Sequence, residues 1–483
     1  MHIPVGRSDP EGSSVEESKE LRPSFKSRLS LNAEMSYTLR MNLRRALVCV
    51  GLLLALSYFF IRGPLRGMRT QGFDDFAGAL TITHVWVQGL NCYSPNVVTD
   101  QWIRDGRPQF QFILKERNST SLLGSGAGLP GSVPLLAPFT LLPAVTADQV
   151  WIWFSAAATL AMLFALFRTK NFIFLAFALA LAPLHTGIAT GNASILVIAC
   201  VGFSYLWRFQ RPILAGVLLG IAGSFKPHIA GAGLLFFLVE QTWTPVIVSV
   251  LTGLLSIGLF AGRLAIAHVP WWSGFIHRTV AIGYHGGPDD FSLANSARYQ
   301  LVNLQVLFAS VLSNRSIVNI LAISITVGLV ALWAYWMRGR EVAPILGFAA
   351  INVILLLPSY HRFYDAGVIA FALAAAAALD RYRWIVPITL AAFLAPIPAA
   401  LVHLGESGEI PLRVLQSKLI VVFVLCHEIW ILLALAVFFL VLMRNRPLRR
   451  AHGSREVPVL SYTQNRIDET VSTRHGLSPN NAL

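Results

Sequence analysis

The sequence predicts an all-α polytopic membrane protein of about twelve transmembrane helices, and three observations carry that prediction. The chain of 483 residues is 55% hydrophobic and only 13% charged, with a mean hydropathy of +0.60, whereas soluble domains carry about 25% charged residues. Hydrophobic runs of spanning length recur over 46–443. Short Arg/Lys clusters mark every second gap between these runs, and the other gaps hold acids, histidines and a lysine.

Composition excludes several classes. A net charge of +14 would suggest nucleic acid as the partner of a soluble protein. Here much of it lies in two polar tails and in loops beside the spans, so membrane lipid, anionic lipid above all, is the expected partner and nucleic acid is not. The four cysteines (Cys49, Cys92, Cys200, Cys426) are too few and scattered for a disulfide framework or a metal cluster. Three of them lie in apolar spans and act as small hydrophobes. Residues 1–45 are polar, and the first apolar run ends without a small-residue cleavage pattern, so no cleavable signal peptide is expected.

A span needs roughly 20 apolar residues, within about 17–25. By that measure helices are expected near 46–61, 149–167, 171–185, 192–207, 212–224, 226–240, 243–266, 316–337, 342–358, 363–379, 384–403 and 417–443. The member at 212–224 is short and Gly-rich, a candidate for a broken or re-entrant helix. Twelve spans put both termini on one side.

Charge tests the count, because cytoplasmic loops carry an excess of Lys and Arg. Arg44 and Arg45 precede the first span. Arg168 and Lys170 follow the second, Arg208 and Arg211 the fourth, and Arg338 and Arg340 the eighth. Arg381 and Arg383 follow the tenth, and Arg444, Arg446, Arg449 and Arg450 the twelfth. All fall on one face, read as cytoplasmic; the gap around Glu240 is silent.

The opposite face receives two long segments, 62–148 and 267–315, each with Trp, Gly and Pro. In the second, 299–312 (YQLVNLQVLFASVL) is helical in period but short and interrupted by polar residues, which suits an interfacial helix. In the first, 124–144 is too broken by Gly and Pro for a span. No internal repeat is visible, which counts against an inverted-repeat transporter. The expected organisation is a disordered cytoplasmic tail over 1–45, a polytopic domain over 46–443 and a basic disordered tail over 444–483.

Chemistry needs polar groups, and few stand outside the basic clusters. Asp74 and Asp75 follow the first span by about a dozen residues; such a pair can bind a metal, take a proton or simply solvate a loop. Gly89 and Tyr93 come next. Lys226 ends an apolar stretch (RPILAGVLLGIAGSF, 211–225) and precedes Pro227. A lysine there either snorkels to the interface or pairs with an anion such as a lipid phosphate. Gly187 and Gly191-Asn192 mark a turn on the same face. In LLLPSYHRFYDAGV (355–368), His361, Arg362, Tyr364 and Asp365 cluster where the ninth span meets the tenth. His shifts protons near neutral pH, and the planar fork of Arg suits phosphate. His427 and Glu428 fall inside the last span, where a helix-packing hydrogen bond is the favoured reading over a functional one.

Taken together these segments resemble glycosyltransferase family 87, the polyprenol-phosphate-mannose-dependent mannosyltransferases of the C-type glycosyltransferase fold. The resemblance runs through DF…G…Y after the first span, then GN, then RPxLAGxLLGxxxxxKP, then PSYHRFYD, and covers about 46–379 in the expected order. It implies that Asp75, or its neighbour Asp74, is the general base that deprotonates an acceptor hydroxyl. Lys226, Arg362 and His361 would stabilise the charge developing on a polyprenyl phosphate leaving group. Asn192, Tyr93, Tyr364 and Asp365 would complete the site. A single displacement would invert a β-linked donor to an α-linked product, with no covalent sugar–enzyme intermediate.

The chain departs from the family in two places. Asn192 stands where the family has Gln, which shortens the contact of that amide. The tyrosines common after the Asp-Phe pair are replaced over 77–83, which bears on the acceptor. No cofactor and no metal are implied, since no carboxylates show ligand spacing. The sugar, mannose by resemblance, would go to a lipid or glycan acceptor on the outer face of a bacterial inner membrane. The rival readings are a transporter or flippase of lipid-linked sugars and a surface-polysaccharide polymerase. The first expects polar groups near mid-membrane; the second leaves the acid after the first span without a duty.

Overall fold

Proline opens about a third of the helices, because its missing N–H costs nothing in a first turn, and the apolar runs propagate as helix. The computed structural model describes residues 25–69, 75–107, 129–167, 171–282, 287, 289–295, 298–358, 360–379 and 382–448. Asp74, Arg168, Lys170, Arg381, Arg449 and Arg450 lie outside the described residues, as do 1–24 and 449–483 of the expected tails. Contacts divide the chain into Met1–Leu54 and Ala55–Leu483, and the candidate site lies wholly within the second unit.

In chain order the helices begin with α1 (Phe25–Arg62), α2 (Pro64–Arg69), α3 (Asp75–Val87), α4 (Pro95–Arg104), α5 (Ser132–Leu136), α6 (Ala144–Leu166), α7 (Phe172–Ala180) and α8 (Ala182–Ala189). Then come α9 (Ser194–Trp207), α10 (Pro212–Phe225), α11 (Pro227–Glu240), α12 (Trp243–Ile266), α13 (Trp272–Ile282), α14 (Leu304–Ala309), α15 (Arg315–Gly339) and α16 (Pro344–Ile354). The chain continues through a 3-10 turn (Phe363–Val368) into α17 (Ile369–Ala377), then α18 (Ile385–Leu390), α19 (Ile397–Glu406), α20 (Leu412–Leu415), a π-helical turn (Ile420–Leu425) and α21 (His427–Arg444). Two isolated bridges stand in place of strands among the described residues, Leu301 with Arg362 and Arg340 with Leu448.

Every expected span has a helical counterpart, but their lengths differ. Among the described residues six stretches are long and apolar enough to cross a membrane, including α6, α12, α15 and α21, and the bent pair α7–α8 makes seven. The others are short: α9, α10 and α11 have 14 residues each and α16 has 11. At 1.5 Å per residue a 14-residue helix is about 21 Å long, against a hydrocarbon core of about 30 Å. The interfacial helix expected over 299–312 is shorter than its period suggests. Only Leu304–Ala309 is α-helical there, and Leu304, Val306 and Leu307 are buried against protein.

Helix ends beside the basic clusters meet one another in pairs. At the basic end Arg208 Nε donates to Glu240 Oε2 (2.9 Å), so α9 and α10 meet where α11 ends. Arg340 Nη1 donates to the Arg446 carbonyl (2.7 Å), and Asn171 Nδ2 to that of Ala377 (3.2 Å). The helix pair α10–α11 is therefore a hairpin that turns at Lys226-Pro227, at the far end.

How deep that turn lies follows from glycine. A Cβ added at Gly216 would sit 2.6 Å from Val248 Cβ, and one at Gly220 2.5 Å from Thr252 Cβ. The two glycines let α10 and α12 touch backbone to backbone, as small residues do between membrane helices. Ser256 Oγ donates to Gly131 O (2.6 Å), and Gly131 also packs on Ser224, so the last turn of α10 is level with Ser256. Helix α12 then runs on for about 15 Å. Lys226 thus lies in a recess, well short of the end of its neighbouring helix.

Candidate active site

Each wall of the recess is positioned by a local device. Asp75 opens α3, where its charge favours the helix N-terminus, and its N–H donates to Thr190 O (2.7 Å). Phe76 stacks on Trp151 with centroids 4.6 Å apart, locking α3 against α6. Gly191 takes φ +65°, a left-handed turn that glycine makes at no cost, and hands Asn192 to the site. There Asn192 Nδ2 donates to Asp75 Oδ2 at 2.5 Å. Tyr360 adopts φ +37°, an uncommon conformation for a bulky residue, and closes the recess with Asp289.

Together these residues line a cavity of about 480 Å³, within the usual range for a small-molecule site. Asp75, Tyr93, Asn192, Lys226, His228 and Asp289 face it, as do Arg278 and Arg315. Both long segments, 62–148 and 267–315, therefore converge on the turns at 191 and 226. Phe76 and Trp151 supply apolar walls.

The polar groups form a chain. Asn192 Oδ1 accepts from the Ser194 N–H (2.9 Å), and Ser194 Oγ lies 2.6 Å from the same oxygen. That hydroxyl also reaches Asp365 Oδ1; with one proton it donates to one acceptor at a time. Lys226 Nζ donates to Asp365 Oδ1 (2.9 Å) and sits 4.8 Å over the Tyr364 ring. Lys226 is thus paired with an internal acid, and the snorkelling alternative is not what the fold adopts.

Charge and burial set the acids apart. Burial pushes the Asp75 carboxyl up, opposed by the Asn192 hydrogen bond and the Arg362 and Lys226 charges. Burial likewise lifts Asp289 to about 6, although Arg362 Nη2 bonds its Oδ1 at 3.2 Å. The Tyr93 hydroxyl is pushed up by burial too, between Phe260 and Phe275.

The expected residues divide into two layers. Asp75, Tyr93, Asn192 and Lys226 line the cavity. Tyr364, Asp365 and His361 are buried behind it, and Arg362 stands behind Asp289, bonded to it. Sequence reasoning missed His228, two residues beyond Lys226, and Asp289. The second had a signal: DDF occurs at 74–76 and again at 289–291, and Phe76 and Phe291 both line the cavity. Asp290, by contrast, is structural, buried and bonded to Arg315 at 3.2 Å. The packing bond expected at His427–Glu428 is not found: His427 Nδ1 meets Val424 O of its own segment (2.7 Å), and Glu428 Oε1 is buried without a partner.

Described residues whose regular structure is helical, with six or seven apolar helices of spanning length closing on a charged recess, mark an integral membrane protein with an enzyme-like site. Residues 130–359 match the model of glycosyltransferase family 87, which bears out the resemblance read from the sequence and makes the chain a glycosyltransferase. The match covers just under half of the chain. It includes Asn192, Lys226, His228 and Asp289, and leaves Asp75 and 361–365 outside. No curated protein and no solved structure matches the chain.

Proposed function

We propose that the chain is an inverting, polyprenyl-phosphate-dependent hexosyltransferase that moves mannose to a lipid or glycan acceptor. The observation that carries this is that an acid, Asp75, and a cation, Lys226, face one cavity recessed below the end of α12. A lipid-linked donor meets such a site naturally: its prenyl chain stays in hydrocarbon while its phosphate reaches a buried ammonium. Asp75 takes the proton of the acceptor hydroxyl as that oxygen attacks the anomeric carbon. The bond from that carbon to the phosphate oxygen breaks with its electron pair going to the phosphate, whose charge Lys226 stabilises. Asn192 holds the Asp75 carboxylate in place, and the buried layer of Asp365, Tyr364, His361 and Arg362 holds the cations. Attack opposite the leaving group turns a β-linked donor into an α-linked product. The donor is a substrate, and no cofactor enters this scheme.

The distribution of Arg and Lys puts the basic end and both termini in the cytoplasm. The recess then opens on the extracytoplasmic face, in a bacterial inner membrane. Transfer from radiolabelled polyprenyl-phosphate-mannose in membranes supplied with host lipid extract tests the reading. Wild type labels a new product, and Asp75→Asn lowers the rate by about 10²–10⁴ at equal protein level. If no polyprenyl-phosphate sugar is transferred while lipid-linked sugar crosses vesicles, the chain is a transporter.

A further inference from the structure

Behind Lys226 three metal-ligating side chains converge from two distant segments. The ligand atoms of His228, His361 and Asp365 all lie within 4.8 Å of one another. His361 Nδ1 is 3.7 Å and His228 Nε2 3.9 Å from Asp365 Oδ2. Both imidazole nitrogens are buried with no hydrogen-bond partner, an arrangement that buried polar atoms rarely tolerate. Asp365 is held rigidly: Oδ1 accepts from Lys226 and Ser194, and Oδ2 from the Arg362 N–H at 3.0 Å. Another unpartnered polar atom lies beside the two histidines. Asn352 Nδ2 donates to Phe348 O (2.8 Å), which leaves Oδ1 buried and unpartnered. Asn352 and both histidines, but not Asp365, line a chamber of about 10 Å³, room for about one water.

We propose that His228, His361 and Asp365 bind a zinc-class divalent cation. Neutral imidazole nitrogens and a carboxylate are the donors zinc prefers. A cation takes lone pairs from both unpartnered imidazole nitrogens and from the carboxylate at once. Tetrahedral bonds of about 2.0–2.2 Å set ligand atoms roughly 3.3–3.6 Å apart, so the 3.7 and 3.9 Å separations need only a slight closure. The remaining spread closes by a small rotation of His228, whose side chain is 27% exposed while those of His361 and Asp365 are 2% and 1%. Lys226 and Ser194, on the other carboxylate oxygen, are the outer shell that orients a metal-bound acid. The cation and Lys226 would share Asp365, fixing where the ammonium meets the cavity. This inference stands apart from the transferase reading, because metal content is measured without sugar transfer.

The test uses the full chain with an affinity tag free of histidine, purified in detergent, incubated with zinc chloride and desalted. Elemental analysis should find about one zinc per wild-type chain, and about a tenfold or greater loss in His361→Ala and in His228→Ala. Added zinc should raise the thermal midpoint of wild type and not of either variant. If His361→Ala does not fold, the partly exposed His228→Ala still decides. Wild type holding no more zinc than His228→Ala, with equal midpoints, would mean an ordered water only and would overturn the proposal.

Discussion

Lys226 donates to Asp365 across 2.9 Å, so the cation that faces the cavity is tied to an acid buried directly behind it. The pair explains how a lysine survives at the recessed end of a short hairpin. It also means that the two residues cannot be changed independently.

Lys226→Met should cost about 3–5 kcal/mol, because it strands the Asp365 carboxylate in protein. Adding Asp365→Leu should restore most of the lost thermal midpoint without restoring sugar transfer. A double-variant cycle on detergent-solubilised protein measures the coupling. Additive losses would show that the pair contributes little to the fold.

The acid limb of activity should lie above the ordinary carboxylate range near 4. A base works deprotonated, so activity falls as pH drops through the folded pKa of Asp75, which burial raises. Asn192→Leu removes the hydrogen bond that favours the charged form and should move the limb to higher pH. Rate profiles between about pH 4.5 and 8.5 distinguish this from a uniform loss at all pH values.

Asp289, lifted to about 6, should add a second step just below neutrality. Its protonation releases the Arg362 guanidinium from a 3.2 Å bond. Asp289→Asn should make the profile depend on a single acid and lower transfer by about tenfold, the effect of one misplaced charged group. An unchanged two-step profile would remove Asp289 from the site.

The recess depends on close packing of α10 on α12. Gly220→Val should lower the yield of monodisperse protein sharply, because its Cβ would meet Thr252 Cβ at 2.5 Å and overpacking costs about 1–3 kcal/mol or more. Gly231→Ala, with nothing within 4 Å of its added Cβ, should be tolerated. Size-exclusion profiles of the two variants make the comparison.

Much of the framework was legible in the chain. Apolar runs gave helices at every expected place, since hydrophobic periodicity and proline act locally. The hairpin at Lys226 was foreshadowed by the short, Gly-rich run before it. Helix lengths were less legible, because an apolar helix buried among others needs no fixed span. Which apolar residues of 299–312 pack on protein was not legible for the same reason: apolar residues at helical spacing look alike whether lipid or protein covers them. In the site, Asp75, Asn192, Tyr93 and Lys226 were found in advance, while His228 and Asp289 were not.

The sequence by itself determined that this chain lives in a membrane, which ends of its helices carry the basic residues, and which side chains were available for chemistry. Composition and charge order depend on the residues alone, so no partner is needed to read them. Only the tertiary structure decided which polar groups touch the cavity and which stand behind it. It joined Asp75 to Asn192, set Lys226 on Asp365, and turned His228 and His361 toward one carboxylate. These pairings link segments far apart in the chain, and the closure of α10 on α12 through Gly216 and Gly220 fixes their depth. Contacts of that kind arise only when the helices pack.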